Sequence, residues 1–168
     1  MELSKKDRVF LINQYSILAA LNNDEASHYN ELITILENGY EIYYSMVDQW
    51  ISSDMPSEDG KFVINILDLY RAIENLKRKA KSEELENHHY SFFIGFDGNN
   101  ETEYMSFARF LVEDQGKFRE QEPYLRKNDN MNSHAPMIDT YKRMLDKANE
   151  IESIWEMSIE EAIEILEA

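Results

Sequence analysis

The chain has 168 residues, 43% of them apolar, with ten Tyr, eight Phe and two Trp, and a formal net charge of −16 from 33 acidic and 17 basic side chains. Its length fits one domain with a real core, and its apolar content excludes a disordered chain. The absence of Cys excludes disulfides, thiolate metal sites and Cys nucleophiles. Few Gly and Pro point to few, long elements, which favours helices.

The charge is uneven. Residues Ala148 to Ala168 carry seven Glu and no Lys or Arg, which reads either as a solvated face or as a surface for a basic partner or a mimic of nucleic acid. A field of this sign disfavours nucleic acid as a partner. Arg71, Lys77, Arg78, Lys79 and Lys81 gather at the end of an expected helix, where cations complement its dipole. No signal peptide and no window near the ~20 apolar residues of a membrane span is present, so a cytoplasmic protein with no membrane partner is expected.

In chain order, Ser4 suits an N-cap. The helix after it carries Leu11, Tyr15, Leu18 and Leu21 at helical spacing, widened by Phe10 and Ile17, and ends at Asn22-Asn23-Asp24. A second helix shows Tyr29, Leu32, Ile33 and Leu36 on one face. Gly39 marks a break before Tyr40, because Gly takes the left-handed cap position freely. After a polar connector with Pro56, a long third helix presents Val63, Ile66, Leu67, Tyr70, Ile73 and Leu76 and runs out between Lys81 and Asn87. His88 to Phe96 is an extended, aromatic segment without a partner strand. Asn100 to Glu103 has the spacing of a capping box, opening a helix with Tyr104, Phe107, Ala108, Leu111 and Phe118. Pro136 fits the first turn of a helix that runs from Met137 through Tyr141, Met144, Leu145, Ala148 and Ile151 to Trp155. Ser158 and Glu161 form a last capping box. The expected fold is all-α: a compact bundle of six to seven helices with negligible sheet, one domain over residues 1–168 with a subdivision near 50–60.

Two polar turns break the helical pattern, FFIGFDGNNETEY from Phe92 and NDNMNSHAPM from Asn128. Gly95, Gly98, Asn99, Asn132 and Ser133 are turn-shaping residues, and the turns are expected to pack together as a structural clasp. Asn132 or Ser133 would then cap the following helix, and His134→Ala should lower thermal stability. The spacing Asp97, Asn99, Glu101, Glu103 resembles the start of a calcium loop. From Asp97, however, the sixth position is Thr102 and the twelfth Ala108, where such a loop needs Gly and Glu. No zinc, P-loop or nucleophile-elbow spacing occurs, so neither a metal nor a cofactor is expected.

The blocks NQYSIL (Asn13 to Leu18), ENGY (Glu37 to Tyr40), FIGFDGNNE (Phe93 to Glu101), FARFLVEDQGKF (Phe107 to Phe118) and NSHAPMIDTYKRML (Asn132 to Leu145) resemble, in this order, the YfbU family of bacterial proteins. The resemblance covers most of the chain. It implies an all-helical fold, divided into a helical hairpin and a larger helical part, and brings no activity or catalytic residues with it.

Three functions compete on the residues. The first is a protein without catalysis that acts by protein contact as a homo-oligomer, through Tyr43, Tyr44, Met46 and Trp50. The second is a hydrolase or metal-assisted nuclease at residues 95–103 and 132–143, with Asp97, Glu101, Arg109 and His134 as catalytic groups beside Lys142 and Arg143. It requires the two turns to line one pocket. The third is an acidic surface for a basic partner.

Overall fold

Ser4 starts the first helix by a full capping box: its hydroxyl accepts from the Asp7 N–H, and the Asp7 carboxylate accepts from the Ser4 N–H. The computed structural model describes residues 2–168 and divides into two compact units, one up to Asp54 and one from Met55 to Ala168.

In the first unit, α1 (Lys5–Leu21) and α2 (Ala26–Asn38) form an antiparallel hairpin, closed by a 3₁₀ turn at Glu41–Tyr43 and the short α3 (Ser45–Asp48). Gly39 caps α2 in the left-handed conformation at φ +68, so the helix breaks there as its sequence suggests. The small core comprises Leu32, Ile35, Leu36, Tyr44 and Val47, with Leu11, Ile12, Tyr15 and Met46 packed against it. The α1 stripe differs from expectation. No residue of this helix is fully buried, and Phe10, Ile17, Leu18 and Leu21 are exposed. Only the row through Leu11, Ile12 and Tyr15 meets the core, because a two-helix hairpin covers one face of each helix and no more.

The second unit is built around α4 (Ser57–Ala80), whose burial is wider than a stripe: Leu69 and Ala72 are inside along with the expected Val63, Ile66, Leu67, Tyr70 and Ile73. Lys81 ends it in the left-handed conformation, and α5 (Glu83–Asn87) follows with Ser82 as its cap. Around α4 pack α6 (Thr102–Arg109), a 3₁₀ turn at Arg119–Tyr124, α7 (Ile138–Ala148) and α8 (Ile159–Leu166). The α6 helix passes directly into a π turn at Phe110–Asp114. Ser158 and Glu161 form the expected capping box of α8. Helix α7 stops at Ala148, short of the expected run to Trp155; Ile151 and Trp155 lie in turns beyond it. No strand forms among the described residues, and the extended segment contributes one isolated parallel bridge, Phe96 to Asn132. The element count exceeds the expected six to seven because α3 and α5 are too short to show a periodic stripe.

Candidate functional site

The two polar turns meet through their backbones. The Phe96 N–H donates to the Met131 carbonyl (3.0 Å), and the Ser133 N–H returns to the Phe96 carbonyl (3.1 Å). Gly95, at φ +97, lies so close to Met131 that no side chain fits between them. Three consecutive residues of the second turn, Asp129, Asn130 and Met131, are also left-handed, and so is His134. A left-handed conformation costs an ordinary L-residue about 1–2 kcal/mol, so this turn persists only because its surroundings hold it.

Side chains supply that hold. Buried Asn128 donates from Nδ2 to the Phe93 carbonyl (2.8 Å) and accepts on Oδ1 from the Met131 N–H (2.9 Å). Asn132 Oδ1 accepts from Gly98 N–H (3.0 Å) and His134 N–H (3.2 Å). The Tyr141 hydroxyl of α7 donates to the Gly95 carbonyl at 2.8 Å, and Arg109 Nε donates to the Asn130 carbonyl at 2.7 Å.

Glu101 is the central group. It is 5% exposed, and its carboxylate accepts from Asp97 N–H (3.0 Å), Met137 N–H (2.8 and 3.0 Å to its two oxygens) and Ile138 N–H (2.9 Å). A carboxylate on the orphan N–H groups of a helix start both satisfies them and opposes the positive end of the dipole. One turn thus caps the helix that follows the other.

This corrects three local expectations. Asn100 and Glu103 form no capping box: the Asn100 amide donates to Asp97, and α6 starts at Thr102 with no side-chain cap. Neither Asn132 nor Ser133 caps α7, whose N-cap position is Met137. Pro136 therefore stands outside the helix and not in its first turn.

The catalytic candidates are dispersed in their contacts. Asp97 is buried, and its carboxyl is held below the ordinary aspartate value, mainly by the Asn100 amide and then by the Asn99 N–H. His134 is exposed, with Nε2 3.0 Å from Asp129. Lys142 reaches Asp139, and Arg143 the carbonyls of Asp139 and Ala168, so neither joins the turns. Among the described residues no three His, Asp or Glu side chains converge to hold a metal ion. An exposed pair such as His134–Asp129 contributes little. His134→Ala is therefore expected to change the unfolding free energy by less than about 0.5 kcal/mol, measured by urea denaturation. The loss of thermal stability expected from the sequence is thus a small one.

Residues 1–168 match the family model of the YfbU domain. The chain is also 45% identical to UPF0304 protein MJECS11 of Methanocaldococcus jannaschii over 169 residues, covering 99% of each. The chain belongs to the YfbU family.

Two further features of this YfbU chain escape its sequence. Lys77, expected among the cations that complement the dipole at a helix end, is buried, with its ammonium 2.6 Å from Glu74 Oε1, 3.0 Å from the Tyr124 hydroxyl and 3.2 Å from the Ser91 carbonyl. The only advance signal was the three-residue spacing of Glu74 and Lys77; Ser91 and Tyr124 come from remote segments. Among the interface candidates, Tyr43 and Trp50 are exposed. Tyr44, at 5% exposed, belongs to the core, with Met46 packed against it. No helix among the described residues is long and apolar enough to cross a membrane.

Proposed function

We propose that this YfbU chain works by protein contact, as a homo-oligomer joined through its N-terminal unit. One observation carries the reading: of the thirteen large apolar side chains exposed among the described residues, ten fall before Asp54. They include Phe10, Ile17 and Leu21 on the outer face of α1, with Trp50 and Ile51 at the end of the unit. A hairpin of this size buries little surface by itself, and a contiguous apolar face marks an interaction surface.

A second copy fits this face. The start of α1 is basic at Lys5 and Lys6, and the segment beyond its end is acidic at Asp24 and Glu25. Antiparallel pairing of two α1 helices about a two-fold axis sets each basic end against the partner's acidic end, and opposes the helix dipoles. The hydrolytic alternative draws no support from the turns, where Glu101 and Asp97 are occupied by backbone and amide donors and Arg109 by a carbonyl.

Because the chain has no Cys, cross-linking has a clean background. Gln14 lies on the Phe10–Ile17–Leu21 row near the middle of α1, where antiparallel copies cross. Gln14→Cys is expected to oxidise to a covalent dimer, while Lys6→Cys alone does not and Lys6→Cys mixed with Leu21→Cys does. Equal self-linking at positions 6 and 14 would indicate parallel pairing, and no linking at 14 would contradict the pairing altogether.

A further inference from the structure

The second unit contains a polar cavity beside the clasp, bounded by the end of α4, the His88–Phe92 segment, Tyr124 and Lys127. Its volume is about 530 Å³, within the roughly 300–1,000 Å³ range of small-molecule sites. The wall includes the buried pair Glu74 and Lys77. Burying an ion pair desolvates both charges, and apolar side chains of similar size commonly stabilise a fold as well or better. Fold stability alone is therefore a weak reason for charges at this place.

The hydrogen bonding around the pair is lopsided. Lys77 has three partners, Glu74, Tyr124 and the Ser91 carbonyl. Burial pulls its pKa down, but the bonds to Glu74 and Tyr124 outweigh that and hold it above the ordinary lysine value. It is a fixed cation and no nucleophile. Glu74, in contrast, places both Lys77 and the Tyr124 hydroxyl (2.7 Å) on Oε1, so Oε2 has no donor among the described residues.

Two more cations, Arg78 and Lys127, line the same cavity, and neither is ion-paired among the described residues. Glu86 lines the cavity as well, and Arg78 also donates to the Glu74 carbonyl and to Asn75. The wall still sets three cations, Lys77, Arg78 and Lys127, against two carboxylates, Glu74 and Glu86, a surplus that favours an anionic group. The Glu74 carboxylate beside them repels a simple anion and accepts a donor. Phe92 and Tyr124, stacked at 4.9 Å with 15° between their planes, add an aromatic wall.

We propose that this cavity binds a small zwitterion of the amino-acid class, with its carboxylate at Arg78 and Lys127 and its ammonium at Glu74 Oε2. Neither a plain carboxylate nor a plain amine satisfies both ends, so the cavity selects molecules that carry the two groups together.

Calorimetric titration of the full chain with the free amino acids tests this. At least one is expected to bind with Kd below about 1 mM. Its analogues lacking either the amine or the carboxylate should bind at least about tenfold more weakly. Glu74→Gln should abolish binding, but it also disturbs a buried cation. The double variant Arg78→Ala, Lys127→Ala is therefore the main control, expected to keep the wild-type unfolding midpoint and lose about tenfold in affinity. Three results each overturn the proposal: no amino acid binding, an amine-free carboxylate binding as tightly as the amino acid, or unchanged affinity in the double variant.

Discussion

Gly95→Ala is expected to cost more than about 4 kcal/mol, or to leave no folded second unit at all. A Cβ at this position would lie 1.9 Å from the Met131 carbonyl oxygen and 2.1 Å from its carbon, with φ at +97. The obstacle is backbone, so no rotamer change relieves it. Moving Met131 away would break the Phe96–Met131 and Ser133–Phe96 hydrogen bonds and shift the Tyr141 hydroxyl from Gly95. Gly98 provides the contrast. Its φ is not left-handed, and an added Cβ would meet only the Asn132 side chain at 3.1–3.2 Å. Gly98→Ala should cost about 1 kcal/mol. Chemical denaturation of the two variants side by side measures the difference; equal losses would mean that the turns do not meet at Gly95.

Glu101→Ala is the second large effect, at about 3 kcal/mol. Three backbone donors, Asp97, Met137 and Ile138 N–H, lose their acceptor. Each buried polar group left without a partner costs roughly 1–3 kcal/mol, reduced where water can enter. Glu101→Gln should lose about 2 kcal/mol, because the amide keeps one oxygen but turns an NH₂ toward N–H groups. Hydrogen exchange locates the loss: the Met137 and Ile138 amides should lose protection first, as the start of α7 frays. A general acid or base at Glu101 would behave otherwise, with Glu101→Gln keeping its stability and its amide protection.

The fold was legible where its signals were local. Ser4 with Asp7 and Ser158 with Glu161 close capping boxes within three residues, and Gly39 takes the left-handed cap its neighbours require. The site was legible in place but not in wiring. The sequence shows Glu101 as a carboxylate in a turn, but two of its three backbone partners are 36 and 37 residues away. Asn100 has the right spacing for a cap, but its side chain turns back three residues to donate to Asp97, and α6 starts one residue later with no side-chain cap. Periodicity also cannot distinguish a helix from a turn that continues in phase, so the apolar pattern runs on to Trp155 although α7 ends at Ala148. Nor can it tell an inward stripe from an outward one: Leu11 and Leu21 belong to the same pattern in α1, and only the first reaches the core.

The outward stripe of α1 is the face through which the N-terminal unit is proposed to pair. Phe10, Ile17 and Leu21 are exposed at 59%, 53% and 79%, so their replacement by charge leaves the hairpin core intact. Sedimentation equilibrium of the full 19.9 kDa chain at micromolar concentration, beside the double variant Ile17→Glu, Leu21→Glu, tests the oligomer directly. The wild type should sediment at a multiple of the chain mass, and the variant at the chain mass with unchanged helicity. A wild type that remains at the chain mass at every concentration, or a variant that associates as strongly as the wild type, would contradict the assignment of this face.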